Sequence, residues 1–569
     1  MQIREDTDSF VGMSRNTERL ERSDGVSEPV PEAPAFTPNR GGLLVCRILL
    51  ILAGCVALYT AVGTLFLPLG PDQAIWTWVG DVILAGGTPY HDAWEIKGPL
   101  THYIYATVAA IFGHHEWSIR VFDLGVMVGA CYAVRRAALH LSNADNFAAY
   151  VAVVLLCLMY YAGGYADTAQ AEGWGGLLIT LTVLCLTKPV GRERLRMAVV
   201  GALVAVATLI KPTYATFMIL PLVGAVRHDR HKREWLTTYV YAVVPFLGIV
   251  AFTAVALAKA GALRDLADVF QYVYSTYEPS GRKSTVGVLL EFPGSLFHTG
   301  LLIPFCMVPL ALWRIGRSTS GHIAAIAATW LALCIFTLVI QRRYWQDHWL
   351  PSSFAIAVLY GVAAGYLRER VLSQVGYRGV VNALAALGIV ATLGPCAWRA
   401  ISRNDDWPIY AVGLRSRDAY IEAVTTPFNE VSQPFNYREL ETVAAYVNKT
   451  TSPQDSVAIW GWDVSIYLMS NRKSATRFGV FQGLNDAGPL RQHYRELFLS
   501  ELEARAPKDV VIDTRGAWYL SPGEGLRELS DFPQFQEYLL RNYRLQSNVN
   551  AYQVWSRNIQ LGPTGKNRV

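Results

Sequence analysis

One short segment of the chain combines phosphate-binding side chains with aromatic rings. Arg342-Arg-Tyr-Trp-Gln-Asp-His348 holds two guanidinium groups, two aromatic rings, a carboxylate and an imidazole within seven residues. A guanidinium binds phosphate through paired hydrogen bonds, and an aromatic ring offers an apolar face for stacking. The segment predicts an anion site, for which we single out Arg342, Arg343 and His348, with Tyr344 as the adjoining ring. The alternative is a basic loop that contacts anionic lipid.

Five other charged residues interrupt or border apolar stretches: Asp72, Lys97, Asp167, Glu172 and Lys211. Each also has a purely structural interpretation. An aspartate before an amphipathic run is a good N-cap, and a lysine at the edge of an apolar run can extend to lipid phosphates. Asp167 and Glu172 would suit a solvated turn equally well. Lys211 is harder to explain structurally, because basic residues are depleted from outer loops of membrane proteins.

Metal sites are not predicted. His91-Asp92 and His114-His115-Glu116 are runs of neighbouring residues, which rarely converge on one ion, and neither run contains a helical i, i+4 pair. The eight cysteines form no CxxC pair, and none follows Cys396. We therefore interpret the histidines as exposed loop residues.

The composition indicates a membrane protein. Of 569 residues, 52% are hydrophobic and only 17% are charged, and the mean hydropathy is +0.24. These values exclude an ordinary soluble protein. The net charge of +5 comes from short basic clusters between apolar runs, which is a topology signal, and no nucleic-acid partner is expected.

Apolar runs long enough to span a bilayer predict about eleven crossings. Basic clusters fall at alternate ends of these runs, which places the N-terminus in the cytoplasm and everything after about residue 400 on the outer side. The stretch 197–226 is interpreted as two short helices that meet at Lys211-Pro212, because proline breaks a helix. The outer loops then include 67–116, 163–172 and 341–349.

The apolar spacing in the first outer loop predicts two amphipathic helices, at 71–84 and 99–112, both too short to span and therefore interfacial. An outer loop at 270–283, rich in tyrosine, suits a lid over a bound ligand or an interfacial anchor. The segment after residue 399 alternates helix-like and strand-like pieces, among them extended Ser456 to Trp460 and Val510 to Asp513. The predicted organisation is a disordered cytoplasmic tail (1–41), a transmembrane domain (42–398) and a soluble outer α/β domain (399–569).

The first outer loop resembles that of a known family. Asp72 opens the first amphipathic helix, Gly86-Gly-Thr-Pro-Tyr-His-Asp92 follows it, and Lys97-Gly-Pro-Leu-Thr-His-Tyr103 opens the second. This order is similar to the first loop of GT-C membrane glycosyltransferases of the protein-mannosyltransferase and aminoarabinose-transferase type. The family usually has a second acidic residue where this chain has Gln73, and Lys-Pro-Pro where this chain has Lys97-Gly-Pro99. These departures bear on the acceptor and leave a requirement for a divalent cation open, whereas no other cofactor is expected.

The resemblance implies an inverting transfer of a sugar from a polyprenyl phosphate to an acceptor hydroxyl. Asp72 matches the catalytic aspartate, which would act as general base. Lys97 matches the lysine that contacts the lipid phosphate, with Lys211, Arg342, Arg343 and His348 as further contacts. The residues expected to orient the acceptor or the sugar are Asp167, Glu172 and Tyr344.

The sequence therefore predicts a GT-C glycosyltransferase of the bacterial inner membrane that acts on its outer face in cell-envelope assembly. Its expected partners are the lipid-linked donor, membrane lipids and a glycan, glycolipid or protein acceptor. A transporter or flippase of polyprenyl-linked sugar is one alternative, although it should carry its charges near the bilayer midplane in two matching halves. A non-enzymatic assembly scaffold is the other.

Overall fold

A computed structural model describes residues 40–187, 192–228, 234–279, 284–373, 378–432, 436–515 and 524–558. From Gly41 onward, these described residues form one compact unit. The predicted disordered tail lies almost entirely outside the described residues, and the end of the 270–283 loop lies outside them as well.

The α-helices of the first part of the chain follow its apolar runs closely. They are Arg40–Gly63 (α1), Pro71–Leu84 (α2), Pro99–Phe112 (α3), Glu116–Leu141 (α4), Asn146–Tyr161 (α5), Gly164–Asp167 (α6), Ala171–Thr187 (α7), Glu193–Ile210 (α8), Ile219–His228 (α9), Glu234–Lys259 (α10), Leu263–Tyr272 (α11), Thr285–Thr299 (α12), Leu302–Cys306 (α13), Val308–Ser318 (α14), Gly321–Ile340 (α15), Leu350–Ser373 (α16) and Arg378–Arg403 (α17). Short 3₁₀ or π segments connect some of them, at Thr64–Phe66, Pro212–Met218, Val273–Tyr277 and Asp347–Trp349.

Membrane-length helices account for much of this part. Within the described residues, six helical stretches are long and apolar enough to cross a bilayer: Leu44–Phe66, Glu116–Leu141, Trp235–Lys259, Gly321–Ile340, Asp347–Arg370 and Ala383–Ala411. Shorter apolar helices occur at Asn146–Tyr161, Ala171–Thr187 and Pro212–Val226. A multi-pass architecture follows, and the count of eleven crossings stays a prediction. The predicted break at Lys211 is confirmed, since α8 ends at Ile210 and a 3₁₀ turn begins at Pro212.

The two amphipathic helices of the first loop have the predicted bounds, and each begins with a proline at its first position. Proline suits that position because its fixed φ is helical and the N–H it lacks would have no partner. The helices cross closely at Gly80, where an added Cβ would lie 2.9 Å from the backbone nitrogen of Ala106. Only glycine permits this approach, so α2 and α3 pack as one layer.

The last part of the chain combines helices with a small sheet, as the alternating pattern predicts, and we call it the α/β domain. Its helices are Trp407–Ala411 (α18), Arg417–Ser432 (α19), Tyr437–Thr450 (α20), Ser465–Ser470 (α21), Gln482–Asn485 (α22), Arg491–Arg505 (α23), Glu524–Ser530 (α24) and Pro533–Asn542 (α25). Its strands are Ser456–Trp460 (β1), Lys473–Ser474 (β2), Asp509–Asp513 (β3), Tyr543–Val549 (β4) and Tyr552–Arg557 (β5). The sheet order is β2-β1-β3-β5-β4, with β1 parallel to β2 and β3 and the other pairs antiparallel.

The loop that carries α2 and α3 shares one hydrophobic core with the α/β domain. Trp78 of α2 stacks on Tyr467 of α21, with ring centroids 6.1 Å apart. Trp94 donates its backbone N–H to the carbonyl of Arg477 at 2.7 Å, and the Arg477 guanidinium forms an ion pair with Asp265 at 3.0 Å. Burial of large aromatic rings supplies most of the energy of such a contact. The domain is therefore fixed against the loop that carries Asp72 and Lys97.

A buried acidic pair at the carboxyl edge of the sheet gives a testable pH effect. Burial, reinforced by the nearby Asp513, raises the pKa of Asp463 to about 8, and Tyr552 donates a hydrogen bond to Asp463 at 2.7 Å. An unfolded aspartate has a pKa of about 3.9. Between that pH and a pH of about 8, the folded protein keeps a proton that the unfolded chain loses. The free energy of unfolding therefore falls as the pH rises through this range. Asp463→Asn should reduce that fall, because the amide mimics the protonated acid.

The measurement is the thermal unfolding midpoint at pH 5 and pH 8.5, with the exposed Asp418→Asn as the control. A variant with the pH dependence of the wild type would show that Asp463 does not carry the effect.

Candidate active site

A cavity of about 770 Å³ is lined by residues from six parts of the chain, one of which is the segment 166–170. The start of α2 and the segment before α3 form one wall, and the turn after α8 forms a second wall. The other walls come from the π turn, the segment after α15 and the α/β domain. Most of the predicted site residues line it, namely Asp72, Lys97, Asp167, Lys211, Arg342, Arg343, Tyr344 and His348.

Glu172 is the remaining predicted residue, and it lies beneath the two lysines. Its Oε1 accepts a hydrogen bond from the Lys97 ammonium at 2.6 Å and from the Lys211 ammonium at 2.7 Å. Lys211 also donates to Gln341 Oε1 at 2.6 Å. The side chain of Glu172 is only 1% exposed, so a single carboxylate holds two cations at the cavity floor. Among these three side chains, the two ammoniums outnumber the one carboxylate.

The backbone N–H and the carbonyl of Lys97 are both hydrogen-bonded to side chains. Its N–H donates to Glu95 Oε2 at 2.6 Å, and its carbonyl accepts from the Tyr90 hydroxyl at 2.8 Å. The next residue, Gly98, donates its N–H to the carbonyl of Ile210 at 3.1 Å. An added Cβ at Gly98 would lie 2.2 Å from the carbonyl oxygen of Leu209. Glycine is required here, which explains the Lys-Gly-Pro sequence and joins the Lys97 loop to the end of α8.

Lys97 remains a cation despite its burial. Burial lowers its pKa, but the carboxylates around it, Glu172 first and Asp347 and Asp72 after it, outweigh that effect and raise the pKa above the ordinary value. The ammonium also lies 5.2 Å from the centre of the Trp76 ring, a favourable cation–π distance. A permanently charged ammonium that lines a cavity suits an anionic ligand.

Asp72 is not the cap of its helix. The N-cap position is Gly70 and Pro71 is the first helical residue, so Asp72 stands inside the first turn. The interpretation of Asp72 as an N-cap was therefore wrong. Its half-buried carboxylate lines the cavity and accepts a hydrogen bond from the Gln170 amide at 3.4 Å. Burial raises its pKa; Lys97 opposes the shift and Glu172 reinforces it. A carboxylate with a raised pKa is a better proton acceptor.

Gln73 stands where a second acid was expected, and it has a structural role. Its fully buried amide donates to the carbonyls of Ala166 and Thr168 and accepts from the Arg120 guanidinium at 2.9 Å. A carboxylate could not donate to two carbonyls. Gln73 therefore ties α2 to the segment that carries Asp167, and it does not line the cavity.

Asp167 sits at the edge of the cavity. Burial raises its pKa to about 7, against the opposing effect of Arg403, whose Nη1 lies 3.8 Å from the Asp167 carboxylate. Near neutral pH this carboxyl is therefore partly protonated, which allows it to donate as well as to accept a hydrogen bond.

The segment after α15 is held by neighbouring elements. The Arg343 guanidinium lies 3.9 Å from the centre of the Tyr277 ring and donates to the Tyr277 carbonyl at 2.9 Å. His348 Nδ1 donates to the Arg343 carbonyl at 3.2 Å. Tyr344 lines the cavity, but its hydroxyl donates to the carbonyl of Val288 at 2.7 Å. The π turn that carries Tyr277 thus fixes this wall.

Several cavity residues escaped the sequence reasoning. Asp347 is buried at the cavity wall within the segment that we singled out for its arginines. Gln341 accepts a hydrogen bond from the Lys211 ammonium and immediately precedes that segment. Asn485 and Asp486 come from the α/β domain, and neither belongs to a sequence motif. Proximity to a motif could have identified the first two, but only the fold brings in the last pair.

One group of acidic and imidazole side chains has metal-like spacing. The ligand atoms of Glu172, Asp347 and His348 lie within 4.8 Å of one another. However, Glu172 Oε1 already accepts from the Lys97 and Lys211 ammoniums. A divalent cation there would be repelled by both, so these residues suit an ammonium–carboxylate cluster better than a metal ion.

Comparison with solved structures identifies the architecture. ArnT from Cupriavidus metallidurans, solved bound to undecaprenyl phosphate, superposes with a TM-score of 0.55 at 15% identity over 90% of this chain and 98% of that one. The Archaeoglobus fulgidus oligosaccharyltransferase, tethered to an acceptor peptide, superposes with a TM-score of 0.51 at 12% identity over 91% of this chain and 74% of that one. The chain has the GT-C fold.

A match to a protein-family model agrees with this GT-C fold. Residues 96–257 match the family model described as dolichyl-phosphate-mannose-protein mannosyltransferase. That region contains Lys97, Asp167, Glu172 and Lys211, whereas Asp72 precedes it. A comparison with curated protein sequences finds no match. The resemblance deduced from the first loop is therefore confirmed at the level of the fold, and the chain is a multi-pass membrane protein.

Proposed function

We propose that this GT-C protein transfers a sugar from a polyprenyl-phosphate donor to an acceptor hydroxyl, with inversion, on the outer face of the bacterial inner membrane. The observation that carries the proposal is one cavity lined by the Asp72 carboxylate and by the Lys97 and Lys211 ammoniums. It combines a proton acceptor with an anion site. The ArnT structure, which contains undecaprenyl phosphate, gives an independent reason to expect a polyprenyl phosphate in such a fold.

In the proposed step, the acceptor oxygen attacks the anomeric carbon while the bond from that carbon to the phosphate oxygen breaks. Asp72 takes the acceptor proton, and the polyprenyl phosphate leaves with the bonding electrons. No covalent enzyme intermediate forms, and a single displacement inverts the anomeric centre. The raised pKa of Asp72 strengthens it as a base for this purpose.

The departing phosphate gains negative charge, which Lys97 and Lys211 would stabilise. Arg342, Arg343 and His348 line the same cavity and would hold the remaining phosphate oxygens, whereas Asp167, Glu172 and Tyr344 would orient the lysines and the reacting sugar. Fixed cations that await developing charge are an effective form of transition-state stabilisation. The two ammoniums supply the charge that a divalent cation supplies in many phosphate sites.

The donor site can be tested with decaprenyl phosphate and the purified protein in lipid nanodiscs. Lys97→Ala removes one charge-assisted contact, worth about 1.5–3 kcal/mol, so the dissociation constant should rise about 10- to 150-fold. Glu172 keeps Lys211 as a partner in this variant, so folding should persist. The matched control is Lys449→Ala at an exposed position of α20, which should bind like the wild type. Equal affinity in Lys97→Ala and the wild type would contradict the phosphate role.

A further inference from the structure

The α/β domain forms one wall of the active-site cavity. Trp462 follows β1, and Gln482, Asn485 and Asp486 belong to α22 and its C-terminal end. Among the described residues of this wall there is no lysine or arginine, whereas Asp486 and Glu528 carry acidic groups. The phosphate-binding cations therefore belong to other walls, and this wall suits an uncharged polar ligand.

The Asn485 side chain makes no hydrogen bond to any residue that the structure describes. Both its Oδ1 and its Nδ2 are buried, and the residue lines the cavity. A buried polar group without a partner costs about 1–3 kcal/mol of stability. Because the Asn485 amide is present despite this cost in stability, we infer that its hydrogen-bonding partners belong to a ligand that fills the cavity.

The neighbours of Asn485 provide complementary contacts. Asp486 is held in place by the Tyr272 hydroxyl, which donates to its Oδ2 at 2.5 Å. Tyr272 in turn packs edge-on against Trp94, with ring centroids 5.2 Å apart. A carboxylate accepts from ligand hydroxyls, an amide both donates and accepts, and the half-buried Trp462 ring offers an apolar face. Together these groups match a ring that has hydroxyls at its edge and C–H bonds on its face.

We propose that Asn485, Asp486 and Trp462 form a sugar-binding subsite on the wall contributed by the α/β domain. Its ligand is a hydroxyl-bearing sugar ring, which belongs either to the lipid-linked donor or to a glycan acceptor. The proposal rests on the proposed function, because it assigns the sugar a place in the cavity where the phosphate and the base are expected.

The test uses saturation-transfer NMR on the full-length protein in nanodiscs that contain saturating decaprenyl phosphate. The probes are methyl α-D-glucopyranoside, methyl α-D-mannopyranoside and methyl α-D-arabinofuranoside. The wild type and the exposed control Asn448→Ala should bind at least one of them. Asn485→Ala and the bulkier Asn485→Leu should weaken that binding about tenfold, which corresponds to the loss of one or two hydrogen bonds.

Stability separates this role from a structural one. The Asn485 amide makes no hydrogen bond within the described chain, so both variants should unfold at or above the wild-type midpoint. Decaprenyl phosphate that carries the same sugar as the bound glycoside would displace that glycoside from a donor subsite. The same lipid would leave the glycoside bound in an acceptor subsite. Either result supports the subsite and identifies its source.

Two results would overturn the inference. One is equal glycoside binding by the wild type and Asn485→Ala. The other is the failure of the wild type to bind any probe while it still binds decaprenyl phosphate in a Lys97-dependent manner. In the second case the proposed function would stand, whereas loss of Lys97-dependent lipid binding would count against the proposed function itself.

Discussion

Asp72→Asn is expected to lower the rate of sugar transfer about 10²- to 10⁴-fold, the usual contribution of a general base. Asparagine keeps the shape of the side chain but cannot take a proton from the acceptor hydroxyl. Because Asp72 makes no helix-capping bond, the fold should survive. Loss of its negative charge near Lys97 should leave the affinity for decaprenyl phosphate unchanged or slightly higher.

The measurement is single-turnover transfer by the purified protein, with lipid binding measured alongside it. Asp81→Asn is the matched control, since Asp81 lies near the other end of α2 and pairs with His114 at 2.9 Å. It should transfer at the wild-type rate. An Asp72→Asn protein that transfers at the wild-type rate would contradict the assignment of Asp72 as base.

Glu172→Gln is expected to lower the free energy of unfolding by about 3–5 kcal/mol, the usual cost of removing one partner from a buried ion pair. The substitution leaves the Lys97 and Lys211 ammoniums, which are 13% and 11% exposed, without their shared carboxylate. The phosphate of decaprenyl phosphate would replace the lost negative charge. The lipid should therefore bind this variant more tightly than it binds the wild type. It should also raise the unfolding midpoint of the variant by more than it raises that of the wild type.

The assay is thermal unfolding in nanodiscs with and without decaprenyl phosphate. Glu369→Gln breaks the pair that the exposed Glu369 forms with Arg314 at 3.4 Å and should have little effect, because exposed ion pairs contribute little. If Glu172→Gln matched Glu369→Gln in both stability and lipid response, the proposed balance between carboxylate and phosphate would be wrong.

Local patterns were enough to predict the elements that carry the site. The helical periodicity and the starting prolines fixed α2 and α3, and the proline after Lys211 marked the end of α8. Alternation of short strands and helices gave the α/β domain, with β1 at its predicted bounds. These signals lie within a few residues of one another, so the sequence displays them directly.

Contacts between distant residues could not be predicted in this way. Glu172 was expected to orient the ligand, but its bonds to Lys97 and Lys211 join residues 75 and 39 positions apart. The amide of Gln73 looked like a departure from a motif until its partners in the Asp167 segment were known. Asn485 carries no motif at all, and only the packing of the α/β domain against the first loop brings it to the cavity.

The central claim, sugar transfer with Asp72 as the base, is tested most directly by mass spectrometry of surface glycans. The comparison uses cells that express the wild-type protein, lack it, or express Asp72→Asn at the same level. We predict that one sugar residue of an envelope glycan, glycolipid or protein is present in the first cells and missing from the other two, with its polyprenyl-phosphate donor accumulating. Identical surface glycans in all three would contradict the account.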